Sequence, residues 1–466
     1  MSANPMLTAP LLVAAAFGAA LTGCAVGPDY ARPEMELPEQ IVAAPSASPA
    51  TQRWWAVFND PVLDRLIDEA LAANRDLRAA ASRIEQARAQ AAITRSDQLP
   101  SAGIEATRSR DLASSLGAFP PPANALKSNT NRAVVRFSWE LDFWGKYRRA
   151  SEAARADLVA AEAGRDAVRS SLVSEVARAH FALEAIDLRR AVTLRTLEGR
   201  RESLKLFRLR LDAGVISELE YHQFEAEVRA AQAAVPAIER ERSRQESALA
   251  VLLGRSARAI FEGDIERGQA SVPEAVEVPA GLPSELLRRR PDLRQAEAQL
   301  MAANARIGVA TAAYYPSLSL TGFLGGQSQA LADLFTGPAR TWSMAAGLLQ
   351  PIYGGGQIRG GVELADARTR EAAARYDALV ANAFREVRDA IADQSTARDV
   401  LVAKRARESS LARALELARS RYGQGLTGLL ELLDAERQLL QVRLERIDAD
   451  RDRRNAVVDL FVAMGS

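Results

Sequence analysis

The chain carries one cysteine and two histidines in 466 residues. That stock cannot assemble a Cys/His zinc site of the usual spacing, and no disulfide can form within the chain. Aromatic residues are scarce, at 6%. Neither sign of charge is in excess: 60 Lys and Arg face 59 Asp and Glu, a formal net charge of +1. A general nucleic-acid binder shows a visible basic surplus, so nucleic acid is set aside as a partner. Beyond residues 6–23 no apolar run is long enough to cross a bilayer as a helix, and any further crossing must use strands. His180 and His222 have no cysteine or carboxylate pattern of metal-ligand type around them and are expected to be packing or surface residues. No catalytic residue, cofactor or metal is therefore expected, and the protein is read as a non-enzyme.

What is present begins with the lone cysteine. Residues 6–23 form an apolar stretch ending Leu21-Thr22-Gly23, directly before Cys24. The stretch is short and rich in Ala and Gly, as a cleavable signal is, although residues 1–10 contain no Lys or Arg. Leu-Thr-Gly-Cys has the form of a bacterial lipoprotein box, which makes 1–23 a signal peptide and Cys24 the acylated mature N-terminus. Ala25, in place of Asp, points to the outer membrane by resemblance to other lipoproteins. Residues 25–52 are rich in Pro, Ala and Ser, so 24–60 reads as an acylated tether without a core of its own.

The rest of the chain is helical in pattern with two interruptions. Leu63, Leu66, Ile67 and Leu71 open a helix at Pro61, and the pattern runs to about residue 98. Val135, Phe137, Trp139 and Leu141 then alternate with Arg136, Ser138, Glu140 and Asp142, which predicts a strand over about 131–142 with a weaker partner at about 101–112. Residues 145–212 lack proline and keep helical spacing, a helix on the order of 100 Å at about 1.5 Å per residue. A second helix to about Leu253 follows a turn, with Pro236 as an expected kink. After a Gly/Pro-containing connector over 254–283 the same order returns, with strands near 317–327 and 340–351, another long helix and a last helix.

The return is an internal duplication. Arg75-Asp76-Leu77-Arg78 matches Pro291-Asp292-Leu293-Arg294 at 216 positions, and Arg210, Gly214, Leu219, Glu220 and Glu225 match Arg421, Gly425, Leu430, Glu431 and Glu436 at 211. The repeats are 61–253 and 284–466. Four strands with one apolar face leave open edges, which lipid forbids, so closure into a barrel demands several copies. Leu318, Leu320, Trp342, Met344 and Leu348 form the expected lipid-facing set of the second hairpin. Long amphipathic helices attached to such a barrel continue it as a hollow cylinder. An acyl-anchored barrel with a helical extension is a conduit.

The chain resembles the TolC-like outer-membrane efflux channels, in particular their NodT-type lipoprotein branch. The resemblance rests on Gly23-Cys24-Ala25-Val26-Gly27-Pro28-Asp29-Tyr30 with Arg32-Pro33, and on Trp54-Trp55 with Phe58-Asn59-Asp60-Pro61. It continues through Trp139-Glu140-Leu141-Asp142-Phe143-Trp144-Gly145, Arg290-Pro291-Asp292-Leu293, Arg421-Tyr422-Gly423-Gln424-Gly425 and Leu432-Leu433-Asp434-Ala435. It implies a mainly α fold with a membrane β-barrel portion: a homotrimer with a twelve-strand barrel, a twelve-helix periplasmic tunnel and an equatorial belt from the connector. It further implies outer-membrane lipid around the barrel, a periplasmic adaptor, and an inner-membrane pump of the resistance-nodulation-division type. The function implied is a passive gated duct for small molecules, whether drugs, toxic compounds or metal ions. A type I protein-secretion conduit, which shares the fold, is the alternative.

By the same resemblance, Gly214, Val215, Gly425, Leu426 and Thr427 at the two helix turns are adaptor-docking candidates. Glu220, Tyr422, Leu430, Glu431, Asp434 and Arg437 are the gate candidates. Leu430, Asp434 and Arg437 share a helix face, and carboxylates near Arg437 or Arg421 are expected to lock neighbouring helices. Gln223 and Ala226 stand where Asp434 and Arg437 do, which favours the second repeat as the gate. Gly423-Gln424-Gly425-Leu426-Thr427-Gly428 spells G-x-G-x-x-G but joins two helices, so no dinucleotide site is expected there.

Overall fold

The computed structural model describes residues 25–36, 38, 53–268 and 283–465; the expected signal peptide, Cys24 and 269–282 of the connector lie outside the described residues. In chain order the elements are α1 (Pro61–Ala73), α2 (Arg75–Ser96), β1 (Ser101–Leu112), β2 (Lys127–Leu141), α3 (Lys146–Asp212) and α4 (Glu218–Leu252). Then come α5 (Ala257–Glu262), α6 (Pro283–Arg289), α7 (Pro291–Ala312), β3 (Ser317–Ser328), β4 (Arg340–Leu349), α8 (Gln357–Gly423) and α9 (Leu429–Ala463). Two compact units divide the chain. One takes the stretch up to Glu34 with Arg83–Ala161 and Gln295–Tyr376; the other takes Met35–Ser82, Glu162–Arg294 and Asp377–Ser466.

The first unit is built on a four-stranded antiparallel sheet in the order β1-β2-β3-β4. Its register carries the period-two alternation across all four strands. Val135 lies opposite Ile104 and Leu324, Leu324 opposite Trp342, and Leu318 opposite Leu141 and Leu348. Trp342, Met344 and Leu348 are exposed on that face, while Leu318 and Leu320 are half-buried. The other face is polar: Arg136 pairs with Glu105 at 2.8 Å, and Arg132 lies over the Phe323 ring at 4.2 Å. β2 begins at Lys127 rather than near 131, because Lys127–Thr130 pair with β1 without contributing apolar side chains. β4 ends at Leu349, short of Pro351, which has no N–H to give to a ladder. Among the described residues the outer edges of β1 and β4 have no strand partner.

The same unit corrects the tether reading for its first residues. Val26 N–H donates to the Trp144 carbonyl at 3.0 Å, and Arg149 donates to Asp29 at 2.7 Å. Asn304 donates to the Pro28 carbonyl at 3.0 Å, and Arg32 grips Glu297 with two bonds of 2.6 and 2.7 Å. Gly27 adopts a left-handed φ of +96°, and a Cβ there would fall 2.5 Å from the Gly308 Cα. Residues 25–32 are thus docked on α3 and α7, through partners more than a hundred residues away that Pro/Ala/Ser composition does not reveal. Those two helices meet at Ala153, Ala156, Ala302 and Ala305, all buried.

The second unit has a core in which α1 buries Val62, Leu63, Leu66, Ile67 and Ala70. Trp54 stacks on Phe461 at 5.5 Å and Phe58 meets Phe181 at 4.7 Å, so residues 53–60 form a packed strap, not a tether. Asp60 caps α1, its Oδ1 accepting from Val62 N at 2.8 Å and Leu63 N at 3.2 Å, with Pro61 at the first helical position. α4 continues through Pro236.

The duplication is exact in the lengths of three helix pairs. α2 and α7 have 22 residues each, α3 and α8 have 67, and α4 and α9 have 35. Left-handed glycines recur 211 positions apart as Gly145 and Gly356, Gly214 and Gly425, Gly254 and Gly465. At the last pair the backbone is crowded: a Cβ on Gly254 would lie 2.2 Å from the Ala73 carbonyl oxygen, and one on Gly465 would lie 2.9 Å from Arg290 N.

Candidate functional site

The two helix turns close with the same hydrogen bonds. Val215 N donates to the Arg210 carbonyl and Gly214 N to that of Leu211; Leu426 N donates to Arg421 and Gly425 N to Tyr422. This is the Schellman arrangement, which places a glycine at the left-handed position and satisfies the last helical carbonyls. Gly214 has φ +68° and Gly425 φ +73°. The residue after each glycine is apolar and open to solvent, Val215 at 70% and Leu426 at 65% exposure. Leu219 and Leu430, second residues of the helices that follow, are exposed at 66% and 62%. Each repeat therefore presents the same pair of apolar side chains around its turn, with Thr427 beside the second.

The helices leaving the turns start differently. Ser217 and Glu220 form a complete capping box at α4, Ser217 Oγ accepting from Glu220 N and the Glu220 carboxylate accepting from Ser217 N. Glu220 is thereby committed to a cap. At the matching position α9 has Gly428, which offers no side chain, and Glu431 lies 3.9 Å from Arg421.

Behind the turns an aromatic stack fixes Tyr422. Its ring lies parallel to Phe207 at 6.2 Å, and Phe207 stacks on Phe224 at 4.4 Å. Burial and the neighbouring Glu220 charge hold the Tyr422 hydroxyl above its usual pKa. The expected lock through Asp434 and Arg437 is divided between different partners. Asp434 accepts from Gln438 of its own helix at 2.6 Å, whereas Arg437 lies 3.7 Å from Glu227 of α4. Glu227 also pairs with Arg200 of α3 at 3.1 Å, and the Arg200 side chain is almost wholly buried. Glu227 joins the two repeats and was not singled out from the sequence. No spacing marks it, because its partners lie on α3 and α9. These three residues stand on a groove of about 920 Å³ whose walls include Ala230, Ala234 and Leu440.

A second polar centre is buried in the core of the same unit. His180 Nε2 lies 2.8 Å from Asp60 Oδ2 and 3.4 Å from Glu184 Oε1. The packing-residue reading of His180 needs correction here: Glu184, four residues on, was a visible carboxylate at helical spacing. The three side chains are close enough to one another for metal ligation. Their oxygens are already engaged, however: Asp60 serves the α1 cap and the imidazole, and Glu184 accepts from Arg454. A guanidinium at this position opposes a cation, so the donor set fits a hydrogen-bonded ion cluster better than a metal.

A sheet with one apolar face and unpaired edges, joined to duplicated 67- and 35-residue helices, defines a membrane channel subunit with a helical extension. The chain belongs to the Outer membrane efflux protein family, which it matches over residues 66–255 and 282–466. Outer membrane protein OprJ of Pseudomonas aeruginosa is 35% identical over 467 residues, covering 98% of this chain and 94% of that protein. Cation efflux system protein CusC of Escherichia coli O6:H1 is 32% identical over 452 residues, covering 96% of each. The Campylobacter jejuni CmeC outer membrane channel superposes with a TM-score of 0.88 at 27% identity, covering 95% of both chains. The protein is thus an outer-membrane efflux protein, and its relatives are channels and efflux components rather than enzymes.

Proposed function

We propose that this protein is the exit duct of a tripartite efflux system, anchored by lipid on Cys24 and driven by an inner-membrane resistance-nodulation-division pump through a periplasmic adaptor. The observation that carries the reading is the sheet: strands of 10–15 residues, one apolar face, and two outer edges without partners. Three copies close those edges into a twelve-strand barrel with the apolar face toward lipid. The exposed apolar pairs Val215/Leu219 and Leu426/Leu430 favour Gly214, Val215, Gly425, Leu426 and Thr427 as the adaptor-docking tips. The gate is formed by Tyr422, Leu430, Glu431, Asp434 and Arg437 of the second repeat, a reading supported by the reach of Arg437 to Glu227 of the first. Cargo is a small molecule, whether a drug, a toxic compound or a metal ion, and the likeness to a cation efflux protein supports the last of these.

Purified protein should run as a trimer after chemical cross-linking and conduct in planar bilayers. Cys24→Ser should abolish incorporation of labelled palmitate while sparing the conductance of reconstituted protein. A monomer without conductance refutes the duct.

A further inference from the structure

The two faces of the sheet differ in charge as well as in polarity. Residues an even number apart along a strand share a face. By the register, Arg108, Arg110, Lys127 and Arg340 therefore stand on the apolar face, with Ile104, Val135 and Trp342. All four cations are exposed, and none has an ion-pair or hydrogen-bond partner for its charge among the described residues. No Asp or Glu of the four strands shares that face: Glu105, Asp111 and Glu140 lie on the other, beside Arg132 and Arg136. The cations are also gathered at one end. The row of Ile104, Val135, Leu324 and Trp342 is the last on that face without a cation before the hairpin turns. Arg340 stands in the next row, and Arg108, Arg110 and Lys127 occupy the rows beyond it in turn. Arg108 and Arg110 are about 7 Å apart along β1. Lys127 is diagonal to Arg110, at about 7–8 Å. An Arg or Lys facing lipid is costly at the bilayer midplane and nearly free at headgroup level, so these rows mark where hydrocarbon ends.

We propose that this rim binds the phosphate groups of an anionic lipid in the outer leaflet. The proposal rests on the duct reading, which puts the helices in the periplasm and the hairpin turns on the far side of the membrane. Charge complementarity selects the partner: four unpaired cations on a face that meets lipid call for an anionic headgroup. A guanidinium takes two phosphate oxygens at once through its planar fork, and Lys127 adds a point charge beside it. Closure by three copies sets β4 of one copy against β1 of the next. Arg340 of the one then joins Arg108 and Arg110 of the other on a single face. A lipid seated there touches both copies, so each seam of the barrel carries its own site.

Full-length protein purified in detergent is titrated with bisphosphorylated lipid A and with the same lipid after enzymatic removal of its phosphates, and native mass spectrometry counts the bound copies. The phosphorylated lipid should bind and the dephosphorylated one should not compete with it. Combining Arg108→Gln, Arg110→Gln and Lys127→Gln should weaken lipid A binding on the order of a hundredfold, about fivefold for each charge removed. Arg136→Gln, on the other face, should leave binding unchanged. Equal binding of the two lipids, or full binding by the triple variant, overturns the proposal: the cations then only reach for water. If the triple variant does not assemble, Arg110→Gln alone decides, at about fivefold. Conductance in planar bilayers keeps the two readings apart. A conducting protein indifferent to lipid phosphate refutes the site alone, whereas a monomer without conductance refutes the duct on which the site rests.

Discussion

Arg437→Ala isolates the contact that joins the repeats behind the turns. The guanidinium is half-exposed and sits 3.7 Å from Glu227 of α4. A pair so open to water contributes about 0.2–1 kcal/mol. If opening separates α9 from α4, its loss should raise open probability about 1.4- to 5-fold in planar bilayers at 0.1 M salt. At 1 M salt the Debye length falls to about 3 Å, and wild type and variant should converge. Asp434→Ala should leave this inter-helix contact intact, since its carboxylate bonds Gln438 on its own helix. Glu227→Ala should act differently, because Arg200 is buried and loses the carboxylate that balances it. Removing one partner of a buried pair costs about 3–5 kcal/mol, read as a drop in Tm. Unchanged opening in Arg437→Ala, or a difference that persists at 1 M salt, would remove this contact from the gate.

Gly254→Ala forces a side chain into the left-handed region, at about 1–2 kcal/mol, and into the Ala73 carbonyl at 2.2 Å. Thermal unfolding should show a larger loss than for Gly465→Ala, whose nearest contact is 2.9 Å. Ala302→Leu overfills the alanine contact between α3 and α7 and should cost about 1–3 kcal/mol in the same assay.

The sequence disclosed features set by local period and missed those set by distant pairing. Strand alternation at Val135–Leu141 and the constant spacing of Gly214 and Gly425 are local patterns, and both hairpins and turns follow from them. The docking of residues 25–32 was hidden because Arg149, Glu297 and Asn304 lie far along the chain and carry no motif. Glu227 was passed over for a related reason. Comparing repeats at matching positions turns attention to Gln223 and Ala226, whereas Arg437 reaches Glu227, the residue directly after Ala226. The His180 centre was half legible, since Glu184 sits at i+4, but Asp60 arrives from 120 positions away.

The unequal helix starts at Ser217 and Gly428 have a mechanical consequence. A serine N-cap is better than a glycine one by only about a few tenths of a kcal/mol, less than about a twofold change in how often the first turn unwinds. α9, without the reciprocal Ser–Glu box, therefore frays somewhat more readily at its entrance than α4, although the two are equal in length. Fraying at the turns thus starts in the second repeat, by a margin small enough for a bound partner at Leu426 to cancel.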